Sequence, residues 1–288
     1  GYKPIFLICD GNLPLCLRKQ EHPDTAGTCA NCHHETKTYL EAFGFEPQYI
    51  KEFLPANYEL SEVTDPEFGA YEYKGIEIST FALATARRHL RKYTIDLDHE
   101  PDRRAFVRYL QAAMMLVDAT SRIIDQNKVL ATVGNHPAYV YGGVVEKTTA
   151  ENGIPAINYG AGYLRKDTVL FGNIQNRGFI HFSDPVVARK KVERPISEVQ
   201  KAKIDELMKG RRTGETIRSF NYYTEEADRD LSVDYARPTI GVFSNLLWDG
   251  SLIDSDRVFD NPFSWIKETI RCAETNEFNV VIKPHPAE

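Results

Sequence analysis

The stretch VLATVGNHPAYVYGGVVEKTTAENGIPAINY, residues 129–159, decides the fold class of the chain. An apolar run at 129–133 ends in a Gly-Asn-His-Pro turn at 134–137, and a helical pattern follows over 138–151. A second apolar run occupies 154–159. A short strand, a helix and another short strand in this order indicate a βαβ unit with two parallel strands.

A second βαβ pattern lies near the end of the sequence. An apolar strand is predicted at 239–243, and Asn261 followed by Pro262 is typical of a helix start. The next strand is predicted at 278–282. Elsewhere the same patterns predict strands at 4–9, 168–171 and 178–182 and helices at 35–43, 79–93 and 101–126. The chain is therefore predicted to have an α/β fold with two parallel-sheet units.

A polar and charged stretch at 184–237 separates the two units and is interpreted as a connecting segment. It contains a predicted helix at 196–208 and an exposed loop at 209–213. We expect an N-terminal domain over 1–183 and the start of a second domain over 238–288. The second domain is expected to be incomplete, because a compact domain does not end after one βαβ unit.

Composition narrows the class of protein further. The 288 residues carry a formal net charge of −6, with 42% apolar and 26% charged residues, which is typical of a globular protein and excludes disorder over the whole chain. The acidic balance argues against general nucleic-acid binding.

The longest apolar runs have about six residues, whereas a membrane span needs roughly 20, and no secretory signal is visible. An odd number of cysteines, five, favours a reducing, cytoplasmic location.

Polar side chains follow both predicted strands of the C-terminal unit. In a parallel sheet, ligands bind beyond the carboxyl ends of the strands. Candidate binding residues are therefore Ser244, Asn245, Trp248 and Asp249 after the first strand, and Lys283, His285 and Glu288 after the second. The segment containing Lys283 and His285 is stiffened by prolines and offers cationic and hydrogen-bonding groups to a phosphate. The alternative is a polar loop in which His285 only makes structural hydrogen bonds.

The turn at 134–139 is the second candidate site. Asn135 and His136 stand at a strand end and a helix start, where the helix N-terminus favours negative charge. An unperturbed histidine titrates near neutral pH, so His136 is a candidate general base for a hydroxyl group. The alternative is that Asn135 serves only as the N-cap of the helix.

The cysteines near the N-terminus suggest a metal site. Cys29 and Cys32 form a CxxC pair in a stretch that is predicted to be irregular. With Cys16 and either His33 or His34 they would supply four zinc ligands. The Cys-x-x-Cys-His pattern also matches covalent haem attachment, but that chemistry belongs outside the cytoplasm. A structural zinc and a site without metal are both left open.

Other common catalytic motifs are missing from the sequence. It contains no P-loop, no GxGxxG after a strand and no GxSxG elbow, so kinase-like, dinucleotide-binding and α/β-hydrolase activities lose their usual support. Three Asp-x-Asp triplets, at 96–98, 228–230 and 254–256, do not directly follow a strong apolar strand. They are interpreted as charged, solvated loops.

An ordered set of motifs in the C-terminal 50 residues resembles a known family. Trp248–Asp249, the Asn261-Pro-Phe-Ser-Trp265 helix start and the terminal Lys283-Pro-His285-Pro-Ala-Glu288 succeed one another. This order is similar to that of capsule and surface polysaccharide biosynthesis proteins with a GT-B glycosyltransferase fold. The unit at 129–159 resembles the acceptor-side half of such enzymes.

The resemblance implies two Rossmann-like domains and transfer of a sugar from a nucleotide-activated donor to a capsular, surface or lipid-linked glycan. It implies donor binding by Lys283, Glu288, Asn245, Trp248 and Asp249 and acceptor contacts by Asn135, Tyr139 and Tyr159. His285 would stabilise the leaving phosphate and His136 would contact or deprotonate the acceptor. No catalytic metal is expected, because protein cations and helix N-termini neutralise the leaving phosphate in such enzymes, and peripheral association with the inner face of the membrane is compatible with a lipid-linked acceptor.

Two other functions stay open from the sequence. The same fold also carries sugar-nucleotide epimerases, which need a nucleotide sugar but no acceptor. Alternatively, the chain is a non-catalytic scaffold module of a polysaccharide-synthesis protein, held together by a structural metal.

Overall fold

The computed structural model describes residues 3–18, 25–161, 169–173, 193, 195–213, 233–234, 236–244, 246–249, 258–259 and 261–284. The chain divides into two compact units. The first comprises Gly1–Gly160, Leu170–His181 and Trp248–Ile253, and the second comprises Ala161–Val169, Phe182–Leu247 and Asp254–Glu288.

Helices and short strands alternate along the described chain. Those before residue 135 are β1 (Phe6–Ile8), α1 (Thr25–Ala42), β2 (Pro47–Tyr49), a 3₁₀ helix (Ile50–Phe53), β3 (Glu72–Tyr73), β4 (Ile76–Glu77), α2 (Ser79–Leu90), α3 (Glu100–Gln126) and β5 (Thr132–Gly134). Those after it are α4 (Val140–Glu151), β6 (Ala156–Ala161), β7 (Val169–Asn173), α5 (Glu198–Thr213), β8 (Thr239–Phe243), α6 (Pro262–Thr275) and β9 (Asn279–Lys283).

Three strand–helix–strand units have parallel strands. β1 pairs with β2 across α1, β5 pairs with β6 across α4, and β8 pairs with β9 across α6. β7 extends the β5–β6 pair to three strands, and β3 and β4 form a short antiparallel hairpin. The predicted α/β class and the parallel pairing at 129–159 and 239–282 are confirmed. The β1–α1–β2 unit is an additional one, which the sequence patterns did not predict.

The core of the first unit is built around α3. Apolar side chains recur along one face of this helix at spacings of three and four residues, and five of them are at most 1% exposed: Phe106, Tyr109, Leu110, Ala113 and Val117. This stripe packs against α2 on one side and α4 on the other. The helix predicted at 101–126 is therefore confirmed, and its apolar period coincides with a buried face. None of the helices in the described ranges is long and apolar enough to cross a membrane.

A half-buried acid on α3, Asp118, anchors the hairpin. Asp118 accepts hydrogen bonds from the hydroxyls of Tyr58 and Tyr73, at 3.0 and 3.1 Å, and from Lys74 Nζ at 2.5 Å. Its side chain is only 12% exposed. Because three donors satisfy one carboxylate, the β3–β4 hairpin and the loop before it are held on the helix.

Several predicted boundaries are wrong. The cysteine stretch is not irregular, because α1 begins at Thr25 and carries both Cys29 and Cys32. The predicted loop at 209–213 is the last part of α5, since Lys and Arg favour helix and one glycine costs only about 1 kcal/mol. The triplet at 96–98 does lie in a loop, between α2 and α3. The triplets at 228–230 and 254–256 and the predicted strand at 178–182 lie outside the described residues.

Candidate functional site at the end of the β5 strand

The turn that follows β5 places two polar residues at the surface. Asn135 and His136 are exposed, and His136 has a left-handed backbone with φ of 54°. The N-cap of α4 is Tyr139, so the helix begins at Val140 and not directly after Asn135. The alternative that Asn135 serves only as the helix cap is therefore wrong. A positive φ is uncommon for residues other than glycine, and at His136 the surrounding packing holds it.

Packing against α2 and α4 holds the turn in place. The buried N–H of Val140 donates to Thr85 Oγ1 at 3.0 Å, and the Thr85 hydroxyl donates to the Phe81 carbonyl at 2.7 Å. One hydroxyl on α2 therefore satisfies the first N–H of α4. A Cβ on Gly142 would stand 2.4 Å from the Asn135 carbonyl oxygen, so the turn approaches α4 too closely for any other residue.

Arg88 lies one turn after Thr85 on α2 and is the cation of the site. Its Nη1 donates to Asp249 Oδ1 at 3.1 Å, and its Cζ lies 4.9 Å from the centre of the Tyr139 ring. The Tyr139 hydroxyl donates a hydrogen bond to the same Asp249 oxygen. A guanidinium, a phenol and a carboxylate therefore form one connected group, which we call the Arg88 cluster; the charges of Arg88 and Asp249 also act on the pKa of His136.

The electrostatics of the cluster keep His136 neutral. Desolvation lowers the pKa of His136 below its ordinary value of 6.5, the positive charge of Arg88 lowers it further, and the Asp249 carboxylate acts in the opposite direction. Burial also raises the pKa of Tyr139, and its hydrogen bond to Asp249 adds to that shift. At neutral pH the cluster therefore presents an uncharged imidazole able to take a proton, beside a phenol that keeps its own.

A buried acid stands directly behind the turn. Glu146 on α4 is 1% exposed, and its Oε1 is 2.5 Å from the position that a Cβ on Gly134 would take. Neither carboxyl oxygen has a hydrogen-bond partner among the described residues, and the same holds for the amide of Asn158, which is 2% exposed. Burial raises the pKa of Glu146 to about 7. Glu146 is therefore largely protonated below neutral pH.

For the other predicted site residues, the structure gives only their exposure or their position on a strand. Tyr159 is 41% exposed on β6, Trp248 is half-buried beside Asp249, and Lys283 is exposed as the last residue of β9. Asn245, His285 and Glu288 lie outside the described residues. Of the predicted site residues, the structure therefore brings Tyr139 and Asp249 into contact, and the Asp249 charge acts on the pKa of His136. The donor-binding roles of the remaining residues stay predictions.

The predicted zinc ligands have different neighbours. Cys29 Sγ lies at the Gly11 turn, Cys32 raises the pKa of the Arg18 guanidinium, and His33 Nε2 lies 2.8 Å from the Tyr49 hydroxyl. Within the described ranges, no three His, Cys, Asp or Glu side chains gather into a group that would hold a metal ion. The structure does not assemble Cys16, Cys29, Cys32 and His33 or His34 into one site, and structural zinc stays a prediction.

Two residues of the site were not singled out from the sequence. Arg88 is one of three basic residues in the last turn of α2, and its partner Asp249 is 161 positions away. Glu146 is an acid between apolar and small residues on α4, which is the sequence signal for a buried carboxyl group.

Comparisons with known proteins gave no relative. No protein-family model matches the chain, and the search of curated proteins and the search of solved structures gave no match either.

Proposed function

We propose that the chain is a glycosyltransferase that moves a sugar from a nucleotide-activated donor to a glycan acceptor of surface-polysaccharide assembly. The observation that carries the proposal is the Arg88 cluster. Tyr139 from the acceptor-side motif and Asp249 from the Trp-Asp loop were predicted separately, and they meet at Arg88, whose charge also acts on the pKa of His136.

The first unit is proposed to activate the acceptor. A ring nitrogen of His136 takes the proton of an acceptor hydroxyl, and its lowered pKa keeps that nitrogen unprotonated at neutral pH. The acceptor oxygen then bonds to the anomeric carbon of the donor sugar. The bond from that carbon to the phosphate oxygen breaks, and the nucleotide leaves with the electron pair. Asp249 stabilises the imidazolium that forms, and Tyr139 and Arg88 hold Asp249 in position.

The second unit is proposed to bind the donor. Lys283 ends β9 beside Phe243, the last residue of β8, so its charge lies at the carboxyl end of two parallel strands. This is the position where parallel sheets bind phosphates. We propose that Lys283 attracts the diphosphate and that His285 donates a hydrogen bond to the leaving phosphate oxygen, with donor contacts from Asn245 and Glu288.

Assays on the full chain test this function. Nucleotide sugars of several bases are incubated with and without glycan acceptors, and released nucleotide and labelled glycan are measured. His136→Asn is expected to lower kcat by about 10²–10⁴ while leaving the donor KM unchanged, because general-base catalysis typically contributes that factor. Asp125→Asn, at an exposed position on α3, is the control and should retain full activity.

Three results would contradict the proposal. Full activity in His136→Asn would remove the proposed base. Conversion of a nucleotide sugar to its epimer without acceptor would identify an epimerase. The third result is a failure of every nucleotide sugar to bind the folded chain in calorimetric titrations, which would favour a scaffold module.

A further inference from the structure

A carboxyl group and an amide are packed together between α4 and the ends of β5 and β6. Gly134 on β5 pairs in register with Asn158 on β6. The Cβ position of Gly134 points at Glu146 Oε1, so this face of the sheet is the one that α4 covers. Residues in register on parallel strands present their side chains on the same face. Asn158 therefore lies beneath α4 beside Glu146, whereas the next residue, Tyr159, is 41% exposed on the other face.

The Glu146 carboxyl is sealed from water without a hydrogen-bond donor. Its side chain is 1% exposed, and in the part of the chain that the structure describes neither of its oxygens has a hydrogen-bond partner. A negative charge at this place has neither water nor a donor to offset its desolvation. The packed arrangement therefore suits only the protonated, uncharged carboxyl group.

The charged groups around α4 are engaged elsewhere. This helix packs against α2, α3, β4 and β5. No charged side chain of the described ranges contributes to the raised pKa of Glu146, which burial causes. The buried and half-buried titratable groups on these elements, on α4 and in the turn have other partners: Arg87 with Tyr93, Arg88 and Tyr139 with Asp249, His89 with Tyr109, Asp102 with Lys92, Asp118 with Lys74, Glu77 with Ser79, Tyr141 with the Leu17 N–H, and Lys147 with Glu151.

The face of α4 that carries Glu146 also supports the strand-end turn, residues 134–139. Gly142 and Gly143 precede Glu146 by four and three residues and therefore lie on the same side of the helix. A Cβ on Gly142 would meet the Asn135 carbonyl, and one on Gly143 would meet the Pro137 carbonyl. The backbone of the turn thus rests directly on this face, and the carboxyl group lies under the residue from which the turn begins.

We propose that Glu146 is a pH-sensitive switch that controls the strand-end turn. With its proton, the uncharged carboxyl packs against Gly134 and Asn158, and the turn stays on α4. Without it, the carboxylate has to reach water, so the strand end separates from α4 and the turn that carries His136 opens. The switch is a property of the fold and does not depend on the proposed sugar transfer.

The direction of the switch follows from linkage. The pKa of Glu146 is about 7 when the turn is closed and returns toward the ordinary 4.5 when the carboxyl is in water. The closed form is therefore fully favoured below pH 4.5 and loses its advantage as the pH rises through 7. Opening gains up to about tenfold for each pH unit between these two values, and the gain ends above them.

Hydrogen exchange on the full chain measures the opening. Exchange is followed by mass spectrometry on peptides that span 132–145 and 104–118, and the rates are corrected for the intrinsic pH dependence of amide exchange. Protection of 132–145 is expected to fall by about 50-fold from pH 5 to pH 8. The segment 104–118, in the core of α3, should stay more strongly protected at every pH, because the opening is local.

Two variants separate the switch from other titrations. Glu146→Gln stays uncharged, so protection of 132–145 should no longer depend on pH, although His136 still titrates. Glu151→Gln, at an exposed position on α4, is the control and should keep the pH dependence of the natural chain. Gly134→Ala puts a Cβ 2.5 Å from Glu146 Oε1 and should open the turn already at pH 5.

Four results would overturn the proposal. They are pH-independent protection of 132–145 in the natural chain, an unchanged pH dependence in Glu146→Gln, and full protection of Gly134→Ala at pH 5. The fourth is equal protection of 132–145 and 104–118 at every pH, which would show that Glu146 reaches water only when the whole unit unfolds. The first and the fourth are measured on the natural chain alone, so the test does not depend on the folding of a variant.

Discussion

Arg88 Nη1 donates to Asp249 Oδ1 at 3.1 Å and joins a helix of the N-terminal half to a loop 161 residues later. The side chains of Arg88 and Asp249 are 33% and 36% exposed, so the pair lies at the surface and contributes little stability by itself. Its importance is electrostatic, because both charges act on His136.

The raised pKa of Glu146 predicts that the free energy of unfolding decreases as the pH rises toward 7. Its folded pKa of about 7 is raised above the ordinary 4.5 by burial. The protonated form is therefore favoured in the folded state, and the stabilisation is complete below pH 4.5 and is lost as the pH rises toward 7. The loss is expected to reach about 3 kcal/mol, from roughly 1.4 kcal/mol for each pKa unit. Urea unfolding from pH 5 to 8 measures it.

A neutral isostere checks this prediction. Glu146→Gln keeps the shape without the charge, so it should be more stable than the natural chain at pH 8 and should show a flatter pH dependence. Glu151→Gln on the same helix is the control, since Glu151 is exposed and paired with Lys147. Parallel pH curves for the natural chain and Glu146→Gln would show that Glu146 is ionised at no energetic cost.

Asp118 is predicted to be the main polar anchor of the first unit. Asp118→Ala leaves the hydroxyls of Tyr58 and Tyr73 without their acceptor and is expected to lower the free energy of unfolding by about 2–3 kcal/mol. Asp125→Ala, an exposed position on the same helix, should cost less than about 0.5 kcal/mol. Equal effects of the two substitutions in urea titrations would contradict the anchor.

Gly142 is predicted to be essential for the turn that carries His136. Alanine normally stabilises a helix by about 1 kcal/mol over glycine. At this position its Cβ would stand 2.4 Å from the Asn135 carbonyl oxygen, so Gly142→Ala is expected to destabilise the chain by about 1–3 kcal/mol instead. Ala150→Gly on the same helix measures the difference in helix propensity between alanine and glycine alone. A Gly142→Ala chain with a raised melting temperature would show that the turn does not approach α4 as described.

The sequence predicted the elements whose signals are local. The apolar period of α3 and the strand–turn–helix–strand order around α4 were sufficient, because burial of one helix face leaves a regular pattern. The start of α1 was missed since its first residues, Thr25 to Thr28, show neither an apolar stripe nor an acidic first turn. The end of α2 came three residues early because Arg91 adopts the left-handed conformation that usually marks a glycine.

The part of the site that carries local sequence signals was also predictable. His136 and Tyr139 stand in a recognisable strand-end turn, and Asp249 follows another strand. Nothing in the local sequence around Arg88 indicates a partner far along the chain, since that contact arises only from tertiary packing. The metal prediction assumed an irregular chain around the CxxC pair, whereas Cys29 and Cys32 lie on a regular helix, Thr25–Ala42.

The central claim is that Arg88, His136, Tyr139 and Asp249 form one electrostatically coupled site, and NMR titration of His136 tests it most directly. The chain has eight histidines, so the His136 signal is assigned by its loss in His136→Gln. Its pKa should lie below 6.5, rise in Arg88→Gln because a repelling charge is gone, and fall further in Asp249→Asn because an attracting charge is gone. Arg104→Gln should leave it unchanged. A His136 pKa that is the same in the natural chain, Arg88→Gln and Asp249→Asn would contradict the claim.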